Sequence, residues 1–172
     1  MLSKAVEFMV DNTPDIADEF STRGMSISLA LSDEYTRTCQ GYTHNISDIV
    51  IQPAVILAKH LCAQGKDVSD MPENTAELHE PMGYAVLYAL AHEFRHVQQE
   101  LDIRGKLPRV NPNAALCTMC AVPMDRQAYA QDPGEADADK YADMICEKAP
   151  TDIIVGLGKY ALDWMLGEEA DK

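Results

Sequence analysis

Five consecutive residues carry the most specific chemistry in the sequence: His92-Glu93-Phe94-Arg95-His96. On a helix each residue advances by roughly 100°, so two histidines four apart lie about 40° and one turn from each other, and both imidazoles can reach one ion from the same face. Glu93 points about 100° away, close enough to act as a base beside a bound cation without being one of its ligands. In a chain with five histidines the pattern His-Glu-x-x-His arises by chance about once in a hundred sequences of this length. The competing explanation is a solvated polar turn, since Arg95, Gln98, Gln99 and Glu100 are polar as well.

Catalytic zinc usually has three protein ligands, so a third must come from elsewhere. Glu135 follows His96 by 39 positions and opens a second expected helix. Asp139 lies one turn further on the same face, placed to accept a hydrogen bond from a ligating histidine's other ring nitrogen. The same spacing also lets Glu135 close a capping box with Asp132. Reading on from the histidines, Asp102 stands where metzincins put their third ligand. Those proteins have glycine where this chain has Gln99, because the backbone there must turn sharply out of the helix.

These side chains need helices to hold them. Leu87, Leu90, Phe94, Val97 and Leu101 recur at steps of three and four, which predicts a helix over about 81–101 with this stripe on the core and the histidines opposite. Asp132-Pro133-Gly134-Glu135 reads as a helix start with Asp132 as N-cap, continuing to about Lys148. Pro150-Thr151-Asp152 restarts a last helix, ending near Gly167, on which Ile153, Leu157, Tyr160, Ala161 and Trp164 share a face. The stretch 108–132 holds Pro108, Pro112 and Pro123 and reads as a structured connection with short helical turns.

Upstream, the first twenty residues read as helix with a break at Asn12-Thr13-Pro14, and Ala17 and Phe20 share a side of the second piece. From 25 to 51 the texture is β. Ile27, Leu29 and Leu31 alternate with Ser28 and Ala30, then 35–39 and 46–51 follow after turn-like Ser32-Asp33 and 41–45. Three short antiparallel strands are expected. Pro53 opens an apolar helix through Cys62, and 65–72 reads as a surface loop.

The 172 residues suit one domain, 1–172, with 47% hydrophobic and 24% charged residues in the range of chains that bury a core. The 28 acidic against 14 basic residues leave a charge of -14, which repels phosphate backbones and anionic lipids, so neither nucleic acid nor membrane is an expected partner. No apolar run approaches the roughly 20 residues of a membrane span, and Glu7, Asp11, Asp15, Asp18 and Glu19 interrupt the stretch a signal peptide would need. Five cysteines, an odd number, fit a reducing, cytoplasmic compartment. Cys117-Thr-Met-Cys120 is half of a four-ligand zinc site, which Cys39, Cys62 or His60 would complete only if folding brought them close, so free thiols are expected. Glu168, Glu169 and Asp171 read as a solvated tail.

The segments His92-Glu93-Phe94-Arg95-His96-Val97-Gln98-Gln99 and Pro133-Gly134-Glu135-Ala136-Asp137-Ala138-Asp139 resemble the gluzincins, in particular their small, minimal members associated with phages and mobile elements. The resemblance covers mainly 81–147, with the three strands as weaker support. It implies a zinc peptidase with His92, His96 and Glu135 as ligands of Zn²⁺, Glu93 as base and Asp139 behind a ligand. The implied architecture is a zincin-like α+β domain, a small antiparallel sheet packed on a helical core. No downstream His or Tyr motif for stabilising an oxyanion is present. Tyr129, Arg126 and His79 are the candidates for that role, and each also reads as an ordinary surface or packing residue. The expected function is hydrolysis of peptide bonds in a peptide or protein substrate, lying as an added strand against an edge at 46–51. The alternative is a non-catalytic metal-binding module that recognises a protein partner.

Overall fold

The apolar repeat that brackets the two histidines folds as the longest of the described helices. The computed structural model describes residues 1–13, 28–31, 41–45, 48–102, 107–109 and 131–167. Their elements run α1 (Leu2–Asp11), β1 (Ser28–Leu31), β2 (Gly41–Asn45), β3 (Asp48–Ile51), α2 (Pro53–Ala63), α3 (His79–Leu101), α4 (Pro133–Lys148) and α5 (Thr151–Leu166), with 3-10 turns at Val68–Asp70 and Thr75–Leu78. Helix α3 packs on α4 and α5 and also touches α2, β2 and β3.

Helix α3 begins two residues before the expected Pro81. Asn74 Oδ1 accepts a hydrogen bond from the Ala76 amide at 3.1 Å, and the 3-10 turn this caps runs directly into α3. The expected stripe Leu87, Leu90, Phe94, Val97 and Leu101 is buried. It joins Ile49, Ile51, Ile56, Leu57, Ile145 and Leu157 in one cluster. Helix α4 starts as its sequence predicts, with Asp132 Oδ1 accepting from the amides of Gly134 and Glu135 at 2.8 and 3.2 Å and Pro133 in the first turn.

The sheet corrects the expected fold class. The described residues are mostly helical, so an α+β domain built on an antiparallel sheet is not what forms. The strands make a three-stranded patch in the order β1-β3-β2, with β1 parallel to β3 (Leu29 opposite Ile49) and only β2 antiparallel to it (Tyr42 opposite Val50). Alternation in sequence marks strands but carries no information on their direction, which depends on contacts distant in the chain. Because β3 lies between two partners, the proposed docking edge at 46–51 is also overturned: β1 and β2 already flank it. The 41–45 stretch, expected as a turn, is strand β2. Tyr42 and Thr43 favour extended backbone, and pairing with β3 outweighs the turn signals of Gly41 and Asn45. The expected strand at 35–39, the second helical piece around Ala17 and Phe20, and nearly all of the 108–132 connection lie outside the described residues.

On α5 the buried face is Ile154, Leu157, Gly158, Ala161 and Leu162, turned from the expected one, and Ile153, Tyr160 and Trp164 are only partly buried. The cause is a close backbone crossing with α3. A Cβ on Gly158 would sit 1.7 Å from the His79 carbonyl oxygen, and one on Gly83 would sit 1.8 Å from that of Ile154. Only glycine permits this approach, and it sets which side of α5 meets the core. Gly158→Ala should therefore force the helices apart and lower the free energy of unfolding by about 1–3 kcal/mol. Urea denaturation measures this, and an unchanged midpoint would refute the backbone crossing.

Candidate metal centre

Helix α3 is covered on two sides. Its apolar stripe faces the core, and the opposite face, where Tyr88, His92, His96 and Gln99 fall within about 80° of one another, meets α4. His92 Nε2 lies 2.9 Å from His96 Nε2 and 3.2 Å from Glu135 Oε2, and His96 Nε2 lies 3.4 Å from that same oxygen. Around a tetrahedral ion with bonds of about 2.0–2.1 Å, neighbouring ligand atoms stand roughly 3.3 Å apart. The three atoms are thus spaced as ligands of one ion would be, and these residues form a group that could hold a metal. His92 and Glu135 are buried, at 8% and 7% exposure.

The partners behind the rings decide what the converging atoms offer. His92 Nδ1 lies 3.0 Å from Asp139 Oδ1, a carboxylate that can only accept, so Nδ1 carries the proton. Asp139 also accepts from the Tyr88 hydroxyl at 2.9 Å. His96 Nδ1 lies 2.9 Å from Gln99 Oε1. That atom is the amide oxygen because Gln99 Nε2 donates to the Gly134 carbonyl at 2.9 Å and to Asp137 Oδ2 at 3.1 Å. In their neutral forms, protonated at Nδ1, both imidazoles would therefore aim an Nε2 lone pair at a carboxylate oxygen. Three electron-rich atoms in one buried spot require a cation between them, either a proton or a metal.

The proton affinities express that demand. Burial pushes His92 down, but the hydrogen bonds with Asp139 and Glu135 and the charges of Glu93 and Glu135 outweigh it and raise its pKa from 6.5 to about 10. His96 is likewise pushed down by burial and raised overall by its bond to Glu135, with Glu93 adding to the rise. The negative charge of Glu93 favours the protonated form of both rings. The bond to His92 holds Asp139 below the usual carboxylate range, burial opposing it and Tyr88 helping. Beside the centre, burial raises Asp137, but Arg95 and Gln99 lower it overall. The Arg95 guanidinium grips that carboxylate with two bonds, Nε to Oδ2 at 2.6 Å and Nη2 to Oδ1 at 3.2 Å.

The other sequence candidates fall elsewhere. Asp102 ends α3 and its Oδ2 accepts from the Leu107 amide at 2.6 Å, so it shapes the exit from the helix and does not join the cluster. His79 starts α3, about 20 Å along the axis from His92, too far to stabilise an oxyanion there. Tyr129 and Arg126 lie outside the described residues, as do Cys39, Cys117 and Cys120. Cys62 is an exposed free thiol, and His60 Nε2 lies 2.8 Å from Gln64 Nε2. Sequence reasoning missed Tyr88 and Gln99 as partners of the centre. The available signal was their helical phase, since both share the face of the two histidines.

No protein family matches the chain, and no curated protein or solved structure matches it either.

Two outcomes follow from this geometry. Glu135→Ala should abolish stoichiometric zinc uptake measured by metal analysis, whereas Asp102→Ala should retain it; the reverse pattern would move the third ligand to Asp102. The second concerns pH. The folded pKa of His92 is raised from 6.5 to about 10, so protonation stabilises the metal-free protein fully below pH 6.5 and this contribution is lost as pH rises through about 10. Zinc needs the deprotonated ring, so the rise in Tm on adding zinc should be larger at alkaline than at acidic pH. An increment independent of pH would contradict the assignment of these rings as ligands.

Proposed function

We propose that the chain is a zinc-dependent peptidase of the gluzincin type, with His92, His96 and Glu135 as ligands and Glu93 as general base. The observation that carries this reading is the convergence of two Nε2 lone pairs and one carboxylate oxygen, each imidazole backed by an acceptor at Nδ1. Two nitrogens and one oxygen are the donor set typical of catalytic zinc, whereas structural zinc sites mostly use thiolates. When bound, zinc supplies Lewis acidity, lowering the pKa of water towards about 7 and polarising a carbonyl oxygen.

The chain's own groups do the rest. Asp139 holds His92 in the tautomer that presents Nε2, and Gln99 does the same for His96. Glu93, on the next flank of the helix and electrostatically coupled to both rings, accepts a proton from the attacking water and returns it to the leaving amine. Zinc and a peptide or protein substrate are the proposed partners, and the acidic balance of the chain argues against nucleic acid. No described helix is long and apolar enough to cross a membrane. The free thiols of Cys62 and Cys146 suit a reducing compartment such as the cytoplasm.

Substituting glutamine at position 93 keeps size and shape but removes the base. Glu93→Gln should retain zinc and the fold, while cleavage of a degenerate peptide library falls by more than the roughly 10² to 10⁴-fold of proton transfer alone. Equal cleavage by the two proteins would eliminate Glu93 as the base. Zinc binding by both without cleavage by wild type would favour the metal-binding module.

A further inference from the structure

Gln99 is buried at 1% exposure and touches the surroundings of two proposed ligands with the two ends of one amide. Its Oε1 meets Nδ1 of His96 on α3 at 2.9 Å. Its Nε2 meets, at 2.9 Å, the carbonyl oxygen of Gly134 on α4, the residue directly before Glu135. The second N–H of the same nitrogen is directed to Asp137 Oδ2 at 3.1 Å, a carboxylate already fixed by Arg95. From these contacts we infer that Gln99 is the positioning residue that registers His96 against Glu135. This deepens the metal-binding reading and rests on it.

The amide cannot be turned over. Rotation by 180° would point the N–H groups at the protonated Nδ1 of His96 and the oxygen at the Gly134 carbonyl and the Asp137 carboxylate, replacing three attractive contacts by three repulsive ones. Its orientation is therefore unique, and so is the tautomer it imposes on His96. The second proposed histidine pairing is of another kind, because His92 is backed by the charged Asp139 and His96 by a neutral amide. A carboxylate at position 99 would serve His96 Nδ1 equally well as an acceptor, but it would set an oxygen against both Gly134 O and Asp137. Glutamine is required only if the bridge to the Glu135 segment matters.

That difference gives a test. Zinc affinity would be measured on the full chain by competition with a chromogenic chelator, and coordination geometry by the visible absorption of the cobalt(II)-loaded protein. Gln99→Glu and Gln99→Met should each weaken zinc binding by about 10- to 100-fold and change the cobalt spectrum. Asp102→Ala, which removes another buried polar group near the end of the same helix, should leave the spectrum as in wild type, separating ligand geometry from general loss of stability. If Gln99→Glu keeps wild-type affinity and spectrum, Gln99 is only an acceptor for His96 and the bridging role is wrong. If Gln99→Met keeps both, the residue positions nothing. Failure of the wild-type chain to bind either metal would instead overturn the metal-binding reading itself.

Discussion

Electron-rich atoms crowded in a buried space repel one another, and a fold that holds two imidazole nitrogens and a carboxylate oxygen within 3.4 Å must hold them against that repulsion. A cation relieves it, but the frame has to keep the ligands together first. Here the frame is the contact between α3 and α4. Asp139 grips His92, Gln99 grips His96 and the Gly134 carbonyl, and Arg95 grips Asp137. The three links tie neighbouring turns of the two helices, so neither helix can rotate without breaking one of them.

The frame is anchored in turn by the core. Tyr141 of α4 stacks on Phe94 at 6.4 Å between ring centres and lies beneath the Arg95 guanidinium at 5.2 Å. Its hydroxyl meets that of Thr13 at 2.9 Å, so the end of α1 is joined to the helix carrying Glu135. On the far side of α3, the glycine crossing with α5 brings two backbones into direct contact. Helix α3 is thus clamped from both faces, which suits a rod whose two histidines, as metal ligands, would have to hold their positions to about 0.5 Å.

The parts of this arrangement that were legible in the sequence are those encoded within a few turns of helix. The stripe from Leu87 to Leu101, the pairing of His92 with His96 and the start of α4 at Asp132 are all local patterns, and Asp139 follows from Glu135 by one turn. What depends on distant contacts was not legible. Strand direction, the central place of β3 and the strand at 41–45 come from pairing, and the buried face of α5 comes from Gly83 meeting a helix some seventy residues away. Tyr88 and Gln99 belong to the same class. Both stand on the histidine face, but only the arrival of α4 shows which polar residues there become buried partners and which stay in solvent.

The central claim is that one zinc ion is held by two imidazoles and one carboxylate, and X-ray absorption at the zinc edge of the zinc-loaded chain tests it most directly. The expected result is a single nitrogen and oxygen shell at about 2.0–2.1 Å, with the outer-shell scattering of two imidazole rings. A sulfur shell at about 2.3 Å would contradict it, because thiolates and not the histidine and glutamate side chains would then hold the metal.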